Sequence, residues 1–216
     1  MKKHQVFIVW FIVLLVWSFY RANFFLPEWL DELIIKPIIF VLPVVIVVLK
    51  REKKNLATLG MPQNGSLFVR DLYIGVVIGV LFAFEGLLAN YVKYGHFSFG
   101  PILALKASGG VIPFFFINLA TAVWEEILGR GYIFQRLLSA SSNQWGAALT
   151  SSFLFLLLHI PIMFTMLHLT GYSLLVYPVS IMILGITNCY ILKWRGNLTL
   201  PVLIHAFWNM TVALYL

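Results

Sequence analysis

An otherwise apolar run from about Val111 to Leu138 contains Glu125, Glu126 and Arg130. In a membrane-grade helix each such charge costs about 2.5–3.5 kcal/mol near the bilayer centre. A helix surrounded by lipid would not keep three of them. They must face a protein interior or a wet cavity, and other segments must bring them partners. This one stretch therefore demands a bundle in which several apolar segments close around a charged centre.

The rest of the chain supplies such segments. Of 216 residues, 61% are hydrophobic and 11% charged, and the mean hydropathy is +0.93. Soluble domains are about 45–50% apolar and about 25% charged. Long continuous apolar runs exclude the short alternating strands of a membrane β-barrel. The fold class expected is all-α: a polytopic membrane helix bundle of about seven transmembrane helices, forming one integral membrane domain. The net charge of +7 fits the basic bias of cytoplasmic loops better than nucleic-acid binding. Cys189 is the single cysteine, so neither a disulfide framework nor a thiol metal cluster is available.

The first apolar run, Val6 to Tyr20, is read as a retained span rather than a cleaved leader, since no Ala-x-Ala site follows. Span two is expected over about Leu33–Leu49, kinked or angled by Lys36-Pro37 and Pro43. A loop follows over residues 55–66. Span three covers about Leu72–Val92 and contains Glu85, which is expected to bond a neighbouring helix as a protonated acid. A Gly-rich, aromatic loop runs from Lys93 to Gly110. Span four begins near Val111 and stays helical to Leu138. Span five is expected over Gln144–Ile160, stopped by Pro161, with an interfacial or re-entrant connection over 162–173. Spans six and seven cover about Leu174–Leu192 and Leu198–Leu216. This divides the chain into an N-terminal membrane region, 1–110, with three spans, and a core, 111–216, with four.

Basic residues set the expected orientation. With the N-terminus inside, one side carries Lys2, Lys3, Lys50, Arg51, Lys53, Lys54, Arg70, Arg136, Lys193 and Arg195; the other carries Arg21, Lys93 and Lys106. That asymmetry places the N-terminus in the cytoplasm and the C-terminus outside.

Partners for the charged stretch are found in the later spans. Glu126 and Arg130 are one turn apart, acid before base, as are His205 and Asn209. The turn between spans four and five centres near Ser141, 15 residues after Glu126 and 18 before His159. At about 1.5 Å per residue the two lie at about 22 and 27 Å along the hairpin, hence at similar depth. His205, nine residues past Gly196, is somewhat shallower. Two carboxylates, a guanidinium, two imidazoles and a carboxamide can thus converge. Each also has a structural explanation: Glu126–Arg130 as an intramembrane ion pair, and His159, or His205 with Asn209, as helix–helix hydrogen bonds. Phe155 is read as packing beside the site, and His168 as an interfacial residue.

The three motifs Glu125-Glu126-Ile127-Leu128-Gly129-Arg130, Phe155-Leu156-Leu157-Leu158-His159 and His205-Ala206-Phe207-Trp208-Asn209, in that order, resemble the CPBP (Abi/CAAX-type) intramembrane proteases, which include the type II CAAX prenyl endopeptidases. Arg130-Gly131 and Gly196-Asn197-Leu198 also fit; Gly129 departs from the apolar residue often found there. The resemblance covers roughly Val111 to Leu216. It implies a hydrolase, an endopeptidase acting on a membrane-associated or lipidated peptide or protein. Glu125 has Gly129 one turn on and no local cation, so a buried, unpaired carboxylate is expected, suited to act with His159 as the base that activates water. His205 and Asn209 would donate to the oxyanion. Glu126 and Arg130 would support them, with Arg130 also able to attract a substrate carboxylate. A metalloprotease-like alternative uses zinc on Glu125, His159 and His205 with Glu126 as base. The metal-free reading is preferred, because zinc-bound histidines usually have an acceptor behind them and none is evident in sequence. The partners expected are the lipid bilayer and that substrate, with no nucleic acid. The short loops suggest a bacterial cell membrane. A non-catalytic immunity or regulatory protein of the same family is the other function considered, and a proton-coupled transporter is disfavoured by the missing inverted repeats.

Overall fold

The computed structural model describes residues 3–98 and 103–215, in which every regular element is helical. Lys2 and Leu216, placed by sequence at opposite ends of the bundle, lie outside the described residues. Seven long helices carry the fold: α1 (Lys3–Asn23), α2 (Glu28–Arg51), α3 (Gly65–Tyr94), α4 (Val111–Ser141), α5 (Gln144–Thr165), α6 (Ser173–Arg195) and α7 (Thr199–Tyr215). The first six are long and apolar enough to cross a membrane; α7, at 17 residues, is shorter.

Helix ends follow local chemistry. Asn64 caps α3 by accepting from the backbone of Ser66 and Leu67, which satisfies donors a helix start leaves free. Gly95 ends it in the left-handed conformation, φ 71°. Several elements differ from the sequence reading. The polar turn before α2 is helical from Glu28, because Pro27 can precede a first turn at no hydrogen-bond cost. The loops over 55–66 and 93–110 hold short helices at Leu56–Leu59 and Leu103–Ala107. Pro161 lies inside α5 and does not stop it at Ile160. Membrane helices tolerate proline because neighbours re-satisfy the freed backbone. Glu85 is exposed on α3 with no hydrogen bond or ion pair among the described residues, so the expected interhelical bond is absent. A lipid-facing α3 surface lies there, and a carboxyl near a helix end can reach the interface.

Two helices depart from regular α geometry where the chain carries prolines and charge. In α2, π turns occupy Asp31–Ile35, Pro37–Val41 and Val47–Arg51. Pro37 cannot donate to the preceding turn, and a wider turn relieves its ring. This local widening stands where a kink was expected. In α4, an eight-residue π segment, Ile127–Phe134, begins immediately after Glu126. Such insertions recur at functional sites.

The helices of the N-terminal region pack directly on the later ones. Trp10 Nε1 donates to Leu154 O (2.9 Å), joining α1 to α5. Gly75 and Gly79 let α3 lie against α7 so closely that a Cβ at Gly75 would be 2.4 Å from Leu203, and one at Gly79 2.7 Å from Phe207. At the end that bears Arg51 and Arg195, Glu52 accepts from Arg136 (2.9 Å), Asp71 from Arg195 (2.6 Å) and Asn197 (2.8 Å), and Leu198 N donates to Gly60 O. There the π segment meets the 56–59 turn, and Gly131 is the contact point. A Cβ at Gly131 would lie 2.5 Å from Leu59 O, a backbone atom that cannot step aside. Gly131→Ala is expected to lower unfolding stability by about 1–3 kcal/mol, the usual overpacking range. Gly65→Ala, at a position with no neighbour within 4 Å, should leave it nearly unchanged. Thermal unfolding of both variants in detergent checks the pair.

Candidate active site

The last α-helical turn of α4 delivers both carboxylates inward: Glu125 is 5% exposed and Glu126 fully buried. From there the two diverge. Glu125 Oε2 faces two imidazoles, with His159 Nε2 at 3.7 Å from α5 and His205 Nε2 at 3.5 Å from α7. Glu126 Oε1 sits on the far side of His205, 2.8 Å from Nδ1, where it also accepts from Asn188 Nδ2 (3.0 Å) and lies 3.1 Å from Arg130 Nη1. His205 is thus held between the two glutamates.

Acceptor geometry assigns the proton on His159. Its Nδ1 is 3.0 Å from Phe155 O, and a carbonyl oxygen only accepts. Nδ1 therefore carries the hydrogen, and Nε2 of the neutral ring presents a lone pair towards Glu125 Oε2. On His205, Nδ1–H donates to the Glu126 carboxylate, so its Nε2 donates only when the ring is an imidazolium. Asn209, one turn further along α7, is half-buried and has no hydrogen-bond partner among the described residues. His159 is half-buried too, whereas Glu125, Glu126, Arg130 and His205 are buried. The constellation is therefore more open at His159 than at its other contacting members.

The structure brings together five of the six residues singled out by sequence, Glu125, Glu126, Arg130, His159 and His205, with Asn209 one turn beyond His205 on α7, and adds two more. The first is Lys36, on α2. Its Nζ lies 2.9 Å from Glu125 Oε1 and 2.5 Å from Glu32 Oε2. The expectation of an unpaired Glu125 is therefore wrong: the cation comes from 89 positions away rather than from the same helix. A lysine in the middle of an apolar run with Glu32 one turn earlier was a usable signal, hidden by its reading as part of a proline kink. The second is Asn188 on α6, fully buried, which ties Glu126 to Pro201 O (3.1 Å). Its only trace in sequence was a carboxamide inside an apolar span.

Arg130 is 1% exposed, so it does not face the open side and is not placed to attract a substrate carboxylate. Its guanidinium lies over the Phe155 ring, 4.4 Å from the centroid. Phe155 also packs against His159 (4.6 Å) and His205 (6.1 Å), so one buried ring fixes three polar groups. His168 is exposed in the α5–α6 connection, and His4 and His96 are exposed at helix ends, all on elements other than the site's.

Zinc on Glu125, His159 and His205 has two observations in its favour. Both histidines have an acceptor behind the outer nitrogen, Phe155 O and Glu126 Oε1, which corrects the sequence-based argument that such acceptors are lacking. Against the fit, no three His, Cys, Asp or Glu side chains among the described residues converge as an ion requires. The Lys36 ammonium on the other Glu125 oxygen adds positive charge beside that position.

The family model described as type II CAAX prenyl endopeptidase Rce1-like matches residues 107–211. No curated protein and no solved structure matches the chain. The matched stretch contains every residue of the constellation except Lys36 and Glu32.

Replacing Arg130 tests how the second carboxylate is held. Arg130→Met leaves Glu126 buried with its cation gone, which costs about 3–5 kcal/mol for a broken buried pair. Unfolding measured in detergent should show that loss; wild-type stability would remove Arg130 from this role.

Proposed function

Since residues 107–211 make this chain a member of the type II CAAX prenyl endopeptidase Rce1-like family, we propose that it is an intramembrane endopeptidase in which Glu125 and His159 activate water. The observation that carries this reading is the shared focus of the site. A free Glu125 oxygen faces two imidazole Nε2 atoms at 3.5–3.7 Å, longer than direct hydrogen bonds, so that all three can engage one water seated beside them.

A water at that position donates to Glu125 Oε2 and to His159 Nε2, both acceptors as argued above. Attack on a peptide carbonyl passes its proton to this pair, and His159, on the open side, returns it to the leaving amine. Asn209, one turn beyond His205 with its amide unengaged, donates to the oxyanion; His205 joins it from Nε2 when its ring is an imidazolium whose Nδ1–H stays on Glu126. Glu126, Arg130 and Asn188 keep His205 in place. The substrate is a membrane-associated or lipidated peptide, since the reactive groups lie near the middle of a 31-residue spanning helix. The protein resides in a cell membrane with the end bearing Lys54 in the cytoplasm, as the basic bias suggests.

Three measurements test these statements. Glu125→Gln and His159→Ala should each abolish cleavage of membrane peptides by folded protein. Asn209→Ala should lose about 10²–10³ in kcat, the usual size of one oxyanion donor. Full activity in Glu125→Gln would leave the non-catalytic immunity or regulatory reading. Cleavage should also survive chelation, with no stoichiometric zinc by mass spectrometry; loss reversed by zinc would restore the metal reading. For orientation, single cysteines at Lys54 and Gly171, in a protein whose Cys189 is replaced, should label from opposite sides of the membrane. Labelling from the same side overturns the topology.

A further inference from the structure

We propose that Lys36 is a positioning residue for the hydrolysis: it holds Glu125 Oε1 so that Oε2 alone is presented to the imidazoles and the attacking water. The catalytic half of this statement rests on the peptidase reading above; the pairing itself does not.

Lys36 is 2% exposed and fixed on several sides. Nζ reaches Glu125 Oε1 across the α2–α4 interface at 2.9 Å and Glu32 Oε2 on its own helix at 2.5 Å. Glu32 is in turn anchored to α4, where Thr121 Oγ1 donates to Oε2 (2.7 Å) and Trp124 Nε1 to its backbone O (3.0 Å). Nζ also lies 5.5 Å from the centre of the Trp17 ring. A lysine present only to neutralise Glu32 would need none of the cross-helix contact.

The backbone around Lys36 is specialised as well. One π turn ends at Ile35 and another begins at Pro37, so Lys36 stands at the junction of two widened turns. That pairing of irregular backbone with a buried charge resembles α4, where the π segment starts directly after Glu126. In both helices a departure from 3.6-residue geometry directly adjoins residues that meet in the site.

The chemical consequence follows from the two oxygens of a carboxylate. Unrestrained, Glu125 could turn either oxygen to the histidines and could rotate away from both. Tied at Oε1, it keeps one acceptor at a fixed place, and misplacement by about 1 Å in such a site costs about 10²-fold in rate. The ammonium also lets a charged base remain in a dry interior without a metal ion. The family match begins at residue 107, so this contribution comes from a part of the chain that the matched residues do not contain.

Two readouts separate pairing from catalysis. The first is a thermodynamic cycle on melting temperature with Lys36→Met, Glu125→Gln and the double variant. Direct pairing predicts that the double variant melts well above the sum of the single losses; additive losses overturn the proposal. The second is kinetic and uses Lys36→Met with Glu32→Gln, which removes the cation together with its other carboxylate so that the protein still folds. Expected are a fall in kcat of about 10²-fold relative to Glu32→Gln alone, with KM within about threefold, and partial recovery of kcat by Lys36→Arg. Unchanged kcat in the folded Lys36→Met/Glu32→Gln variant, or no recovery by Lys36→Arg, overturns the positioning role. Non-additive melting with no cleavage by wild type would instead refute the peptidase reading, and the catalytic half of the proposal with it.

Discussion

The contact between Lys36 and Glu125 is the one on which the site depends, because a dry carboxylate survives only beside positive charge. In a bundle surrounded by lipid the same condition applies to every buried acid, and this fold meets it repeatedly with partners distant in sequence. Asp31 has Arg21 (2.6 Å), Glu52 has Arg136 (2.9 Å), Asp71 has Arg195, and Glu126 has Arg130 (3.1 Å). Each pair except the last joins separate helices or a helix to a loop. Apolar packing alone gives little preference for one helix over another in a membrane, since lipid is as apolar as the side chains. The pairs fix which helices are neighbours and at what height, and the glycine contacts of Gly75 and Gly79 then bring α3 against α7.

Much of this was legible in the sequence, for a definable reason. Glu126 with Arg130 and His205 with Asn209 are local spacings, readable from helical periodicity alone. The match in depth of Glu126 and His159 followed from a short hairpin and the rise per residue. What escaped was long-range pairing between helices. Lys36 and Asn188 reach their glutamates over 89 and 62 positions, and no periodicity within a helix reports such a contact. Glu85 failed in the opposite direction: a charge inside an apolar run implied a partner, yet the residue lies on the exposed face of α3. Pro161 failed because proline ends helices in water, where freed backbone finds solvent, but not within a bundle.

The division of the chain into residues 1–110 and 111–216 describes the motifs better than the physical site. Four of the site's elements, α4 to α7, lie in the second part and carry the matched residues. The first part contributes α2, which supplies the only ammonium at the site among the described residues. It also supplies α1, whose Trp17 faces that ammonium, and α3, which backs α7 along its length. The motifs can therefore be complete in sequence while the electrostatic environment of Glu125 is set elsewhere.

Formal charge makes the last point about the site. Glu32, Glu125 and Glu126 carry three negative charges when ionised, and Lys36 and Arg130 carry two positive ones. Glu126 and Glu125 are connected through His205, whose two nitrogens face them at 2.8 and 3.5 Å. A dry cluster with one excess negative charge is costly, and a single proton shared within it restores neutrality. Hydrolysis of a peptide bond requires one mobile proton, taken from water and given to the leaving amine. In the peptidase proposed above, the charge imbalance left by the two fixed cations would match the one proton that hydrolysis moves, and a third fixed cation would remove it.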